Sequence, residues 1–238
     1  MGEASTSHFA RMLLCGLYAI VDIETLQVRR IDPIAFARAV LRARPAALQV
    51  RSKASPMRET LGLLRELQPL CRQARVPLVA NDQAELAVLA SCDLVHVGQT
   101  DEPIARVRRR FPGLAVGVST HSLRQLDAAL AERPAYVACG PVFSTRTKIG
   151  ADPAIGVAEL ATAHARATAA GIPLVAIGGI TRDRAAELLG AADAVAAISD
   201  LVPREPPASS GTGPWFRSVT ERARALHELF APVRQRAS

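Results

Sequence analysis

A chain of 238 residues has room for one large domain or two small ones. With 49% hydrophobic and 21% charged residues it can build a real core, and no apolar stretch approaches the ~20 residues that span a bilayer. The net charge of +7 comes without a clustered basic surface and with only 4% aromatics, which argues for an anionic small substrate over nucleic acid.

In chain order, residues 1–16 read as a disordered leader, because "MLLC" is too short and poorly flanked for a signal peptide. Eight short apolar runs follow: "LYAIVD" (17–22), "AALQVR" (46–51), "VPLVAND" (76–82), "LVHVG" (94–98), "LAVGVS" (114–119), "YVACG" (136–140), "PLVAIGG" (173–179) and "AVAAIS" (194–199). Each is rich in Val, Ile, Leu or Ala and ends at a polar residue or Gly, the pattern of a strand buried on both faces. Amphipathic stretches lie between them. Asp32-Pro33 and Ser55-Pro56 each place a cap before Pro at a first helical position. Leu61, Leu64, Leu67, Leu70 and Cys71 keep a helical period, and "SVTE" (218–221) reads as a capping box opening the last helix. Eight strands alternating with eight helices predict a single (β/α)8 TIM barrel over residues 17–230, with its active site at the C-terminal strand ends. A doubly wound open sheet is the alternative, since alternation does not show closure. The Pro-, Gly- and Ser-rich segment 202–216 reads as a flexible connection before the last helix, and 231–238 as a tail. Cys15, Cys71, Cys92 and Cys139 are widely spaced without CxxC, as for reduced thiols in a cytoplasmic protein.

Three rare residues mark the barrel rim. Of 29 Lys and Arg, only Lys53 and Lys148 are lysines, and Asn81 is the single asparagine. All three fall at the C-terminal ends of predicted strands, as do Asp82, Asp101 and Ser119. The plain alternatives are helix caps for the aspartates and Ser119, a turn for Asn81, and simple exposure for the lysines. Arg51, Lys53 and Lys148 offer positive charge and donors suited to a polyphosphate. Asp82 and Asp101 suit Mg²⁺, a hard ion commonly held by one or two carboxylates plus phosphate oxygens. "AIGGI" (176–180) and "AIS" (197–199) sit where barrels of this kind build a phosphate site after strands seven and eight. No nucleophile–histidine set is apparent, and His96 inside strand four reads as a core histidine.

The ordered set "LQVRSK", "VANDQAELA", "DLVHVGQTDEP", "VGVSTHS", "CGPVFSTRTKIGADPAIG" and "VAIGGIT" closely resembles the thiamine-phosphate synthase family, over nearly the whole folded region. The resemblance implies a transferase that condenses hydroxymethylpyrimidine diphosphate with thiazole phosphate, using Mg²⁺ and releasing pyrophosphate. It implies that the pyrimidine diphosphate lies on Gln49, Val50, Arg51, Ser52, Lys53, Asn81, Ser119 and Lys148, with Arg51, Lys53, Ser119 and Lys148 catalytic. It places Mg²⁺ on Asp82 and Asp101, and the thiazole phosphate on Thr145, Arg146, Thr147, Gly179, Ile198 and Ser199. Small-molecule substrates, no nucleic acid and no membrane are expected as partners, with a homo-oligomer left open. A thiazole tautomerase-like relative and a non-catalytic phosphate-binding regulatory barrel are the alternatives. The segment "LLGAAD" (188–193) departs from the family's usual Ala-Gly-Ala-Asp.

Overall fold

The computed structural model describes residues 14–145, 152–203 and 213–231. Eight parallel strands close into a barrel in sequence order, β8 pairing with β1. They are β1 (Gly16–Asp22), β2 (Ala47–Arg51), β3 (Leu78–Asn81), β4 (Leu94–Val97), β5 (Ala115–Thr120), β6 (Tyr136–Cys139), β7 (Leu174–Ala176) and β8 (Ala194–Ala197). All eight predicted runs form strands, and closure excludes the open sheet.

Alternation along each strand divides the interior into two apolar shells. Leu17, Ala19 and Val21 of β1 face the helices, with Leu48 and Val50 of β2. Tyr18 and Ile20 face the lumen, with Ala47, Val79, Leu94, Tyr136, Ala138, Val175, Ala194 and Ala196. The lumen is therefore a filled core, and only side chains near its upper end reach the rim. Gly117 makes one approach possible: a Cβ there would lie 2.1 Å from Cζ of Tyr136, whose ring occupies that space.

The helices are α1 (Ile23–Val28), α2 (Pro33–Leu41), α3 (Met57–Ala74), α4 (Ala84–Leu89), α5 (Ile104–Arg110), α6 (Leu123–Ala131), α7 (Gly156–Ala169), α8 (Arg182–Ala185) and α9 (Pro214–Phe230). Asp32 caps α2 as its sequence predicts, accepting from the amides of Ile34 and Ala35 with Pro33 at the first helical position. In α3, Leu64, Leu67 and Cys71 are buried and form the inward stripe.

Three expectations need correction. Pro56 itself occupies the capping position of α3, without a side-chain cap, so Ser55 does not cap it. "SVTE" does not open the last helix, which starts four residues earlier with Gly213 at the cap and Pro214 following. Thr220 in that motif instead bonds the carbonyls of Ala39, at 2.8 Å, and Phe216. Finally, α1 is an extra turn between β1 and α2, so the described helices number nine rather than eight.

The segment around "LLGAAD" follows the shortest of the nine described helices: α8 has four residues, followed by a 3₁₀ turn at Ala186–Leu188. The expected leader lies mostly outside the described residues, although Leu14 is already buried and β1 starts at Gly16. Residues 204–212 of the expected connection and 232–238 of the expected tail lie outside them too, and 214–216 belong to α9. All four cysteines are free thiols, two buried and two half-buried. No helix among the described residues is long and apolar enough to cross a membrane.

Candidate active site

The C-terminal ends of β1 to β5 bring most of the predicted pyrimidine-diphosphate residues together. Gln49 is a buried lumen residue of β2, and its Nε2 donates to Asn81 Oδ1 at 2.8 Å. Asn81 ends β3, and its Nδ2 is buried without a hydrogen-bond partner. Arg51 closes β2 and donates to Asp22 Oδ2 at 2.5 Å, with Glu24 Oε2 3.6 Å away. Val50 is turned toward the helices, so only its main chain faces the rim. Ser52 Oγ is buried without a hydrogen-bond partner.

Sequence reasoning missed two supporting carboxylates. Asp22 accepts from the amide and hydroxyl of Thr25, at 2.9 and 2.6 Å, as well as from Arg51. Glu24 Oε1 accepts the amides of Lys53 and Ala54 at 2.7 and 2.9 Å. Together they fix the Arg51–Lys53 turn, so its cations are held in place before any anion arrives. The available signal was Asp22 itself, a carboxylate closing a strand opposite Arg51.

Neither Asp82 nor Asp101 is a helix cap. Asp82 takes a left-handed backbone, φ 64°, a conformation Asp tolerates better than most residues, and Gln83 occupies the capping position of α4. Its amide donates to the His96 carbonyl at 2.7 Å, which turns the carboxyl over the rim. Lys53 Nζ forms an ion pair with Asp82 Oδ2. Asp101 Oδ2 accepts the Gly98 amide at 2.6 Å, while Pro103 occupies the capping position of α5. Burial pushes the Asp82 carboxyl above its ordinary range, the hydrogen bond from Lys53 pulls it down, and the adjacent Asp101 carboxylate pushes it up. Two carboxylates in contact are disfavoured unless a cation joins them. Among the described residues no group of three or more His, Cys, Asp or Glu side chains could enclose a metal. A pair of hard oxygen donors beside the Arg51 and Lys53 cations fits a hard dication such as Mg²⁺, which commonly takes only one or two carboxylates from the protein.

Ser119 lies in β5 and does not cap a helix; its Oγ is 2.7 Å from His96 Nε2. His96 is buried as expected, but its position is not merely structural filling. Burial lowers its imidazole pKa to about 4, with Asp101 raising and Lys53 lowering it as smaller influences. Between pH 6.5 and about 4 the unfolded chain therefore binds a proton that the folded chain refuses, so stability falls as pH drops through that window. The fall should be roughly 3 kcal/mol by urea unfolding at stepped pH, and His96→Gln should remove most of that slope. An unchanged slope in the variant would contradict the assignment.

The residues expected to hold the thiazole phosphate follow the ends of β6, β7 and β8. Thr145 is half-buried beyond β6, while Arg146, Thr147 and Lys148 lie outside the described residues. Gly178 and Gly179 have φ of 99° and 65°. A Cβ on Gly179 would lie 2.7 Å from the Ser144 carbonyl oxygen and 2.8 Å from Phe143 Cβ, so the β7 turn and the loop after β6 touch through that glycine. Ile198 follows β8 and Ser199 opens a 3₁₀ turn. Gly179→Val should therefore raise the KM for thiazole phosphate about tenfold or more and leave that for the diphosphate nearly unchanged. Equal changes in both would mean general damage to the barrel end.

A family model described as thiamine monophosphate synthase matches residues 17–201, which span all eight strands. The chain belongs to the thiamine monophosphate synthase family. A thiamine-phosphate synthase of Anaeromyxobacter dehalogenans is 40% identical over 203 residues, 85% of this chain and 86% of that protein. Another, from Chloroflexus aurantiacus, is 35% identical over 191 residues, 80% and 82% of the two chains. Among solved structures, a thiamine phosphate pyrophosphorylase from Pyrococcus furiosus superposes with a TM-score of 0.75 at 27% identity, covering 92% of this chain and 97% of that one. These thiamine monophosphate synthase relatives each match over at least 80% of the chain.

Proposed function

We infer that the chain joins hydroxymethylpyrimidine diphosphate to thiazole phosphate, forming thiamine phosphate and releasing pyrophosphate. The observation that carries this is the preorganised clamp: Arg51 and Lys53, fixed by Asp22, Glu24 and Asp82, beside the lumen amides of Gln49 and Asn81. A diphosphate seated on the cations would leave its pyrimidine over the lumen end.

The bond from the pyrimidine methylene to the diphosphate oxygen breaks, and its electron pair leaves with pyrophosphate. Positive charge left on the methylene carbon is shared by the ring and its amino group. The thiazole nitrogen then supplies its lone pair to that carbon, so no protein nucleophile is required. Arg51, Lys53 and Lys148 act on the departing group, whose negative charge grows as the bond stretches. Asp82 and Asp101 would hold Mg²⁺, which supplies Lewis-acid stabilisation to phosphate oxygens when bound. Gly179, Ile198, Ser199 and the Thr145–Thr147 segment would hold the second substrate's phosphate and aim its ring at the carbon.

Pyrophosphate release tests this reading. It should occur only when both substrates are present with Mg²⁺. A tautomerase or a purely ligand-binding barrel would release none.

A further inference from the structure

The residues assigned to the thiazole phosphate sit on two separate stretches of chain, Gly179 in the turn after β7 and Ile198 and Ser199 after β8. The ladder between β7 and β8 reaches only Ala176 and Val195, so main-chain pairing does not hold those stretches together. Beyond it, one carboxylate takes over. Asp200 Oδ2, in the 3₁₀ turn Ser199–Leu201, accepts the main-chain amide of Arg182 at 3.3 Å and its side-chain Nε at 3.0 Å. Thr181 occupies the capping position of α8 without a side-chain cap, so the acceptor at that amide comes from the neighbouring loop.

Both ends of this link are themselves held. Arg222 Nη1 of α9 donates to the Asp200 carbonyl at 3.0 Å. On the other flank, the amides of Val142 and Phe143 donate to the carbonyls of Ile177 and Gly178, at 2.8 and 3.0 Å. The loops after β6, β7 and β8 and the last helix are thus joined in series, and Asp200 is the joint between the second and third.

Burial and charge indicate what the pair does. An ion pair out in solvent contributes little. The Asp200 side chain is only 12% exposed, against 40% for Arg182, and one of its two bonds goes to main chain. An unpaired carboxylate next in sequence to Ser199 would repel a phosphate, and Arg182 cancels that charge. What remains is a link of fixed geometry. Gly179 on one loop and Ser199 on the other can grip a single phosphate only at a set separation.

We propose that Asp200 and Arg182 are positioning residues that hold the two loops at the separation a phosphomonoester needs, so that they set affinity for the phosphate group and leave recognition of the ring untouched. The proposal rests on the assignment of Gly179, Ile198 and Ser199 to the thiazole phosphate.

The measurement is the Kd of thiazole phosphate and of the same thiazole with a free hydroxyl, by equilibrium titration. The wild type should favour the phosphate by about 10²-fold or more. Asp200→Ala should lose about tenfold or more of that ratio, through weaker phosphate binding alone. Asp200→Asn keeps an oxygen for the amide and for Nε, and should restore most of it. Arg182→Ala keeps the main-chain bond and should lose about threefold or more, which tests the link even if Asp200→Ala does not fold. In turnover, the KM for thiazole phosphate should rise, with kcat and the KM for the diphosphate nearly unchanged. Folded Asp200→Ala and Arg182→Ala variants with the full ratio would overturn the proposal. So would equal weakening of phosphate and alcohol, or Asp200→Asn as impaired as Asp200→Ala. A wild type without preference for the phosphate would overturn both the proposal and the assignment beneath it. If the wild type binds thiazole phosphate but makes no thiamine phosphate, the reading of function fails, and the same Kd ratios still decide the role of Asp200.

Discussion

Turnover should fall by about two to three orders of magnitude in the Asp101→Asn variant, with the barrel intact. The amide side chain keeps a carbonyl oxygen of the same shape, so the Gly98 amide, 2.6 Å from Asp101 Oδ2 in the native chain, retains an acceptor. The loop after β4 should therefore stay in place. What disappears is one of the two negative charges at the rim. A hard dication shared with a diphosphate loses a principal ligand, and the Mg²⁺ concentration for half-maximal activity should rise along with the loss in kcat. The variant should also show an easier ionisation of Asp82, since a neighbouring carboxylate no longer raises it. Thermal unfolding within a degree or two of wild type would separate this from a folding defect. Wild-type turnover indifferent to a chelator would remove Asp82 and Asp101 from the metal site.

Lys148→Ala should lower kcat by about 10²–10³-fold, with a smaller change in ground-state binding of the diphosphate. The leaving group gains negative charge as its bond breaks, so a fixed cation contributes more in the transition state than before it. Lys148→Arg is the more searching variant. It keeps the charge but exchanges a compact ammonium for a planar fork. A chain with 27 arginines against two lysines has every compositional reason to place Arg there. Lys148→Arg should be substantially impaired, more than any exchange of an exposed arginine for lysine. Near-wild-type activity would mean that the rarity of lysine carries no information about the site.

The legible and illegible parts of the sequence differ in range. All eight strands could be read because a strand covered on both faces is mostly apolar along its length, whatever it pairs with. The rim could be read because a barrel places its chemistry where those runs end, and Lys53, Asn81, Asp82, Asp101 and Ser119 stand there. The capping-box reading of "SVTE" failed because such a motif also occurs inside a helix, where Thr220 bonds to Phe216 one turn back and to Ala39 from α2. Asp22 and Glu24 escaped notice because their partners, Arg51 and Lys53, are about thirty residues away in sequence, across the β1–β2 pair. A line of hydrogen bonds from Gln49 through Tyr18, Tyr136 and His96 to Ser119 was illegible for the same reason at longer range. Tyr18 and Tyr136 are 118 residues apart, and nothing local to either says that their hydroxyls meet. A lumen-side polar residue in each of several buried strands was the only available sign.

The most direct test of the account mixes the purified chain with hydroxymethylpyrimidine diphosphate, thiazole phosphate and Mg²⁺, and follows the organic product by mass. The account predicts thiamine phosphate, formed in equal amount with pyrophosphate and absent when either substrate is withheld. Binding of both phosphorylated substrates without any thiamine phosphate would contradict it.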